Sequence, residues 1–197
     1  MKGGFSLPKQ RITKEMIVDA AFSLARTDGM EQVLIKNIAR KLGCSVQPIY
    51  SYCENMEGLR QEVVLRVRDF VQAYAAAHRK AEDPFRTTGQ AYIQLAKEEP
   101  HIFKIFILHE RQGISSLDEL YRSETDPCVA PCIARDLQIS TEQAKQLHLH
   151  MLIYTIGLGT IFASSSPGIS ADEIFEKQEI AYDAFVRQIQ KGNEYEQ

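Results

Sequence analysis

Eight residues between Lys36 and Tyr52 carry side chains whose chemistry suits a nucleic acid. The Gln47 amide can pair bidentately with adenine, and Val46 or Pro48 can pack on a thymine methyl group. Ser45, Tyr50, Ser51 and Tyr52 offer hydroxyls, which more often bind phosphate than read bases. Lys36 supplies a cation for phosphate. Each has a plainer reading beside this one: solvent exposure for Gln47, packing of a small domain for Tyr50, and solvated surface for the neighbouring Arg40 and Lys41.

Such groups act together only if local structure holds them on one face. Ile35, Ile38, Ala39 and Leu42 recur at helical spacing and form one apolar stripe. Gly43 follows the stripe, where a left-handed residue closes a helix without a Cβ penalty. Ser45 is placed to cap a second, very short helix. Pro48 at its third position would lose only an N–H that is unpaired there anyway. Two helices joined through a glycine turn form a helix-turn-helix, whose second helix enters the major groove.

Composition is consistent with this. The 197 residues are 44% hydrophobic and 25% charged, ordinary for a globular protein. No uninterrupted apolar run reaches the ~18–20 residues of a membrane span, and MKGGFSLPKQR has no signal-peptide core. Four cysteines without a framework spacing suggest reduced thiols and a cytoplasmic protein. The net charge of −3 argues against a nucleic-acid partner until the chain is divided. Residues 1–60 hold nine Lys/Arg against six Asp/Glu, and the remainder 14 against 20. A basic head on an acidic body fits phosphate contact at one end.

The rest reads as helical. Residues 1–10 form an arm closed by Lys9 and Arg11. Thr13 caps a first helix with Ile17, Ala20, Ala21 and Leu24 inward, ended by Gly29. A long helix runs from about Met56 to Lys80. Asp83-Pro84 and Pro100 open the next two. Ser116/Glu119, Ser140/Gln143 and Ser170/Glu173 are capping boxes for later helices, and Asp126-Pro127 starts a short one between. No stretch alternates like a strand. The expected fold is all-α with about nine helices: a three-helix head over residues 1–56, joined by the long helix to a helical body over residues 57–197.

The pattern from Arg11 to about Leu59 resembles the TetR (tetracycline-repressor-like) family of bacterial transcriptional regulators. The matching residues are Ile17, Ala20, Ala21, Gly29, Ile38, Ala39, Gly43, Ser45, Tyr50, Glu57 and Leu59. The chain departs from the family at Val33-Leu34, where Thr or Ser is usual, at Tyr52-Cys53, often His-Phe, and at Met56, commonly Lys. Lys36, Tyr52, Asn55 and Arg60 are the candidate replacements for the phosphate anchors so lost. The resemblance implies a ligand-responsive homodimeric repressor on a palindromic operator. A small-molecule effector bound among the C-terminal helices would shift the long fourth helix. The last two long helices resemble the family's dimer bundle, with Gly157 and Gly159 permitting close approach. Tyr74, Tyr92, Phe103, Phe106, Tyr121, Met151 and Tyr154 are candidate pocket residues, core packing being the alternative for each.

No catalytic, metal or cofactor site is expected. No Walker loop, dinucleotide fingerprint, GxSxG or HExxH occurs. Cys128 and Cys132, four apart, suggest packed or exposed thiols rather than a disulfide or metal pair. Cys44 and Cys53, flanking the second helix of the turn, read as packing rather than a redox switch. His148 and His150 point to different helix faces. The rival readings are a helix-turn-helix protein acting through protein contacts alone and an enzyme with a dispersed active site.

Overall fold

The computed structural model describes residues 12–52, 55–111, 113–165 and 168–194. The N-terminal arm with Lys9 and Arg11, and also Cys53, lie outside them. The described residues form ten α-helices and one 3-10 turn, with no strand. The chain divides into two compact units, with the boundary between Arg68 and Asp69.

The first unit contains α1 (Lys14–Asp28), the turn Met30–Gln32, α2 (Ile35–Leu42), α3 (Gln47–Tyr52) and the first half of α4 (Met56–His78). Thr13 Oγ1 accepts the Met16 N–H at 3.2 Å and caps α1. Ile17, Ala20, Ala21 and Ala25 of α1 are buried with Val33, Ile38, Ala39, Ile49, Leu59, Val63 and Val67. Each fully buried aliphatic side chain contributes about 1.5–3 kcal/mol, so this small core rests on few residues. Two ion pairs, Lys14–Glu62 at 2.7 Å and Arg66–Asp19, tie α1 to α4. Both are exposed and add little.

The second unit is organised around α9 (Thr141–Ser165), against which α5 (Pro84–Glu98), α6 (Pro100–Leu108), α8 (Val129–Leu137) and α10 (Ala171–Glu194) pack. α7 (Leu117–Glu124) completes it. By length and a mean hydropathy of 1.4, the stretch Thr141–Ser164 is apolar enough to cross a membrane. Ala144, Leu147 and Met151 on this helix are buried in a cluster with Ala130, Ile133, Ala134 and Tyr182. The Ser140/Gln143 box forms in both directions, with Gln143 N–H to Ser140 Oγ at 3.2 Å and Ser140 N–H to Gln143 Oε1 at 2.9 Å. At α7 the Glu119 N–H reaches Ser116 Oγ, while its carboxylate turns to the Ser115 N–H at 2.7 Å.

Along the α5–α10 seam, residues one turn apart meet one face of α10. Arg86 pairs with Glu179 at 2.7 Å and lies 4.3 Å from the Tyr182 ring centre. Gln90 donates to Glu179 at 3.2 Å. Gly89 leaves room for the buried Gln178, whose amide donates to Thr155 Oγ1 at 3.3 Å. The two α9 glycines differ. A Cβ on Gly159 would lie 2.4 Å from the Phe103 ring of α6, whereas Gly157 is exposed with open space around it. Gly159 therefore serves packing within the chain.

Candidate nucleic-acid interface

Gly43 closes α2 in the left-handed region, at φ 64° and ψ 30°. Its N–H donates to the Arg40 carbonyl at 3.2 Å and the Cys44 N–H to Ala39 at 3.0 Å, the two bonds of a Schellman motif. The turn is thus fixed by backbone bonds. At its other end α3 opens at Gln47, one residue later than a Ser45 cap implies. The Val46 carbonyl accepts from the Ile49 and Tyr50 N–H groups at 3.1 and 3.2 Å. Pro48 falls at the second helical position, and the carbonyl four residues before it belongs to Cys44, outside the helix.

α3 has one buried side chain, Ile49, which is fully inaccessible. The rest of the helix faces outward. Ser45, Val46, Gln47, Tyr50, Ser51 and Tyr52 are exposed and Pro48 is half-buried. Tyr50 is 59% exposed, which removes packing of the small domain as its role. Ser51 Oγ donates to the Gln47 carbonyl at 3.1 Å, leaving its lone pairs available to a donor. A six-residue helix presenting an amide, three hydroxyls and one apolar contact, with Val46 just before it and one isoleucine pinning it, carries the residue types of a base-reading element.

Lys36 is exposed on α2, as are Arg40 and Lys41. Among the described residues none of the three has a carboxylate within ion-pair distance, unlike Lys14 and Arg66 of the same unit. Arg40 and Lys41 also line a cleft of about 380 Å³ with Leu24, Asp28, Gln32 and Asn37. α2 has no side-chain cap at Leu34. Asn37 instead crosses back to the Gln32 carbonyl at 2.9 Å. Asn55 caps α4: its Oδ1 accepts the Gly58 N–H at 2.7 Å, a role separate from the amide N–H that a phosphate would take. An asparagine directly before Met56 is an N-cap signal that the phosphate reading of Asn55 passed over. Arg60 is half-buried, and its Nε has no partner among the described residues. Cys44 is half-buried.

In the second unit the candidate pocket residues are not gathered in one described cavity, although Tyr92 and Phe106 meet. Tyr74 donates to Glu98 at 2.5 Å and stacks on His78. Its hydroxyl titrates well above the usual tyrosine range, first through burial and then through the Glu98 bond. Tyr92 stacks on Phe106 with ring centres 6.0 Å apart. Phe103 is buried against Gly159. Tyr121 is buried, its hydroxyl 2.9 Å from His148 Nδ1, and burial pushes His148 down to about 4. Met151 lies in the α8–α9–α10 cluster. Tyr154 lines a groove of about 150 Å³ with His150, Ile153 and Phe185. The other six line neither this groove nor the α1–α2 cleft.

No family profile matches the chain. Two curated bacterial proteins are similar to part of it. One is an HTH-type transcriptional regulator of Bacillus subtilis, YobS, 26% identical over 104 residues, or 51% of this chain and 54% of that protein. The other is an HTH-type transcriptional regulator of Mycobacterium tuberculosis, 26% identical over 127 residues, or 63% of this chain and 57% of that protein. The matched stretch thus spans a little over half of each relative. The crystal structure of a transcriptional regulator from Rhodococcus sp. Rha1 superposes with a TM-score of 0.56 at 14% identity, over 92% of this chain and 97% of that one. At that identity the likeness is one of fold.

Proposed function

We propose that the chain is a DNA-binding transcriptional regulator of the TetR-like kind, acting as a ligand-responsive homodimeric repressor. The observation that carries the reading is α3 itself: Ile49 is buried in the head while Gln47, Tyr50, Ser51 and Tyr52 face outward. It stands behind a Gly43 turn, with unpaired cations on α2. Curated relatives named as HTH-type transcriptional regulators support it. In this reading α3 enters the major groove of each half of a palindromic operator, and Lys36 with the Tyr50 and Tyr52 hydroxyls holds phosphates.

Dimer formation would use the outer faces of α9 and α10, where Ile153, Ile161 and Ile180 are more than 40% exposed. An effector would bind among the helices around α9; the half-buried Tyr92–Phe106 stack is the first place to look. α4 runs from Met56 to His78 across the boundary between the units, so it is the element able to carry a ligand-dependent shift to the head. The ligand would release DNA only by its higher affinity for the non-binding state.

Selection of duplexes from a random-sequence pool, followed by footprinting, tests this. The expected product is a palindrome with half-sites one helical turn or a multiple of it apart, about 34–36 Å. A pool that gains no shared sequence would leave the reading in which the fold acts through protein contacts alone. That second reading is favoured by one observation: α2 has no side-chain cap at Leu34.

A further inference from the structure

Cysteine is among the most buried residue types, yet Cys128 and Cys132 are both exposed. They lie one turn apart at the start of α8, with the Cys132 N–H donating to the Cys128 carbonyl at 3.1 Å. Ala130, Ile133 and Ala134 turn the other side of this helix into the core, so the two thiols share an outward face. The intact turn keeps their Cβ atoms about 5–6 Å apart. A disulfide needs about 3.5–4.5 Å and is excluded while the turn stays wound. Two sulfurs bound to one ion at about 2.3 Å each can stand up to about 4.6 Å apart. Side-chain rotation brings a pair at this spacing within that range.

We propose that Cys128 and Cys132 form a two-sulfur chelating site for a thiophilic centre, such as a soft metal ion or trivalent arsenic. Among the described residues no group of three or more His, Cys, Asp or Glu side chains converges. An ion needing a closed four-ligand protein shell, such as structural zinc, is therefore a poor fit. A soft centre satisfied by two thiolates is a good one.

Asp126 flanks the pair. Its carboxylate accepts the Cys128 N–H at 2.8 Å and the Cys128 thiol proton, and this bond with its charge holds the thiol above its ordinary range. Near Cys132 stands Arg135, itself paired with Asp136 at 2.9 Å.

Phenylarsine oxide is the probe. Two thiols add to one arsenic, forming two As–S bonds; the two thiol protons leave with the arsenic-bound oxygen as water, and nothing is oxidised or reduced. One equivalent should remove two thiols from titration, survive excess glutathione and reverse with dithiothreitol. C128S and C132S should each lose the glutathione-resistant complex, weakening binding by about 100-fold or more, because the second contact is intramolecular. C44S/C53S should retain it. Either single variant binding like the native chain, or loss of binding in C44S/C53S, overturns the proposal.

Discussion

Gln47 and Lys36 are both exposed, so replacing either leaves the fold alone and isolates its role at the interface. Gln47→Ala should relax preference at one base pair by about 1–3 kcal/mol, with little change for unrelated duplexes. Competition between operator variants checks this. At His148 the prediction concerns stability. Burial holds its pKa near 4 in the native chain against an unfolded value of about 6.5. The unfolded chain therefore takes up the proton first. Stability is full above about pH 6.5 and falls as pH drops toward 4, by up to about 3 kcal/mol. Urea unfolding at pH 7 and pH 5 should show the loss for the native chain and a much smaller one for His148→Phe. At this scale the sequence was legible where one residue type has one use, as at Gly43. It was ambiguous for Asn55, because one side-chain amide offers an oxygen that caps a helix and an N–H that suits a phosphate, and only the chain path shows the cap.

α3 is six residues long, far below the ~12–15 at which isolated helices become marginal in water. Its existence depends on Ile49 and on the turn before it. Ile49→Ala should cost about 2–5 kcal/mol, visible in thermal unfolding of the head. Gly43→Ala has no steric neighbour, so its loss of about 1 kcal/mol would come from the left-handed backbone alone. Helix order was readable in advance, with ten helices formed among the described residues where about nine were expected, because caps and prolines punctuate this chain: Thr13, Asp83-Pro84, Pro100 and Ser140/Gln143 all mark observed starts. The body was harder. Its aromatic residues satisfy a core pattern and a pocket pattern equally well at the level of periodicity. Three-dimensional placement sends Phe103 to a glycine on α9 and Tyr121 to a histidine. Neither partner is signalled by local sequence.

For the whole molecule, the basic head and acidic body read from the sequence now have specific members, since Lys14 and Arg66 are neutralised by Glu62 and Asp19. In the proposed reading, the exposed cations of α2, Lys36, Arg40 and Lys41, are the first candidates for phosphate contact in the described head, with Arg60 beside them. Self-association has its own test at Gly157, which is exposed with open space around it. Gly157→Ala should raise helix stability by about 1 kcal/mol. If α9 faces a partner chain there, it should also weaken the dimer in sedimentation. The most direct test of DNA binding through this head is the salt dependence of affinity for a selected duplex. The logarithm of affinity should fall linearly with that of salt concentration. Lys36→Ala should weaken binding to all sequences alike and reduce the slope by about 1, while Gln47→Ala leaves the slope unchanged. Affinity that ignores salt, or a slope untouched by Lys36→Ala, would contradict it.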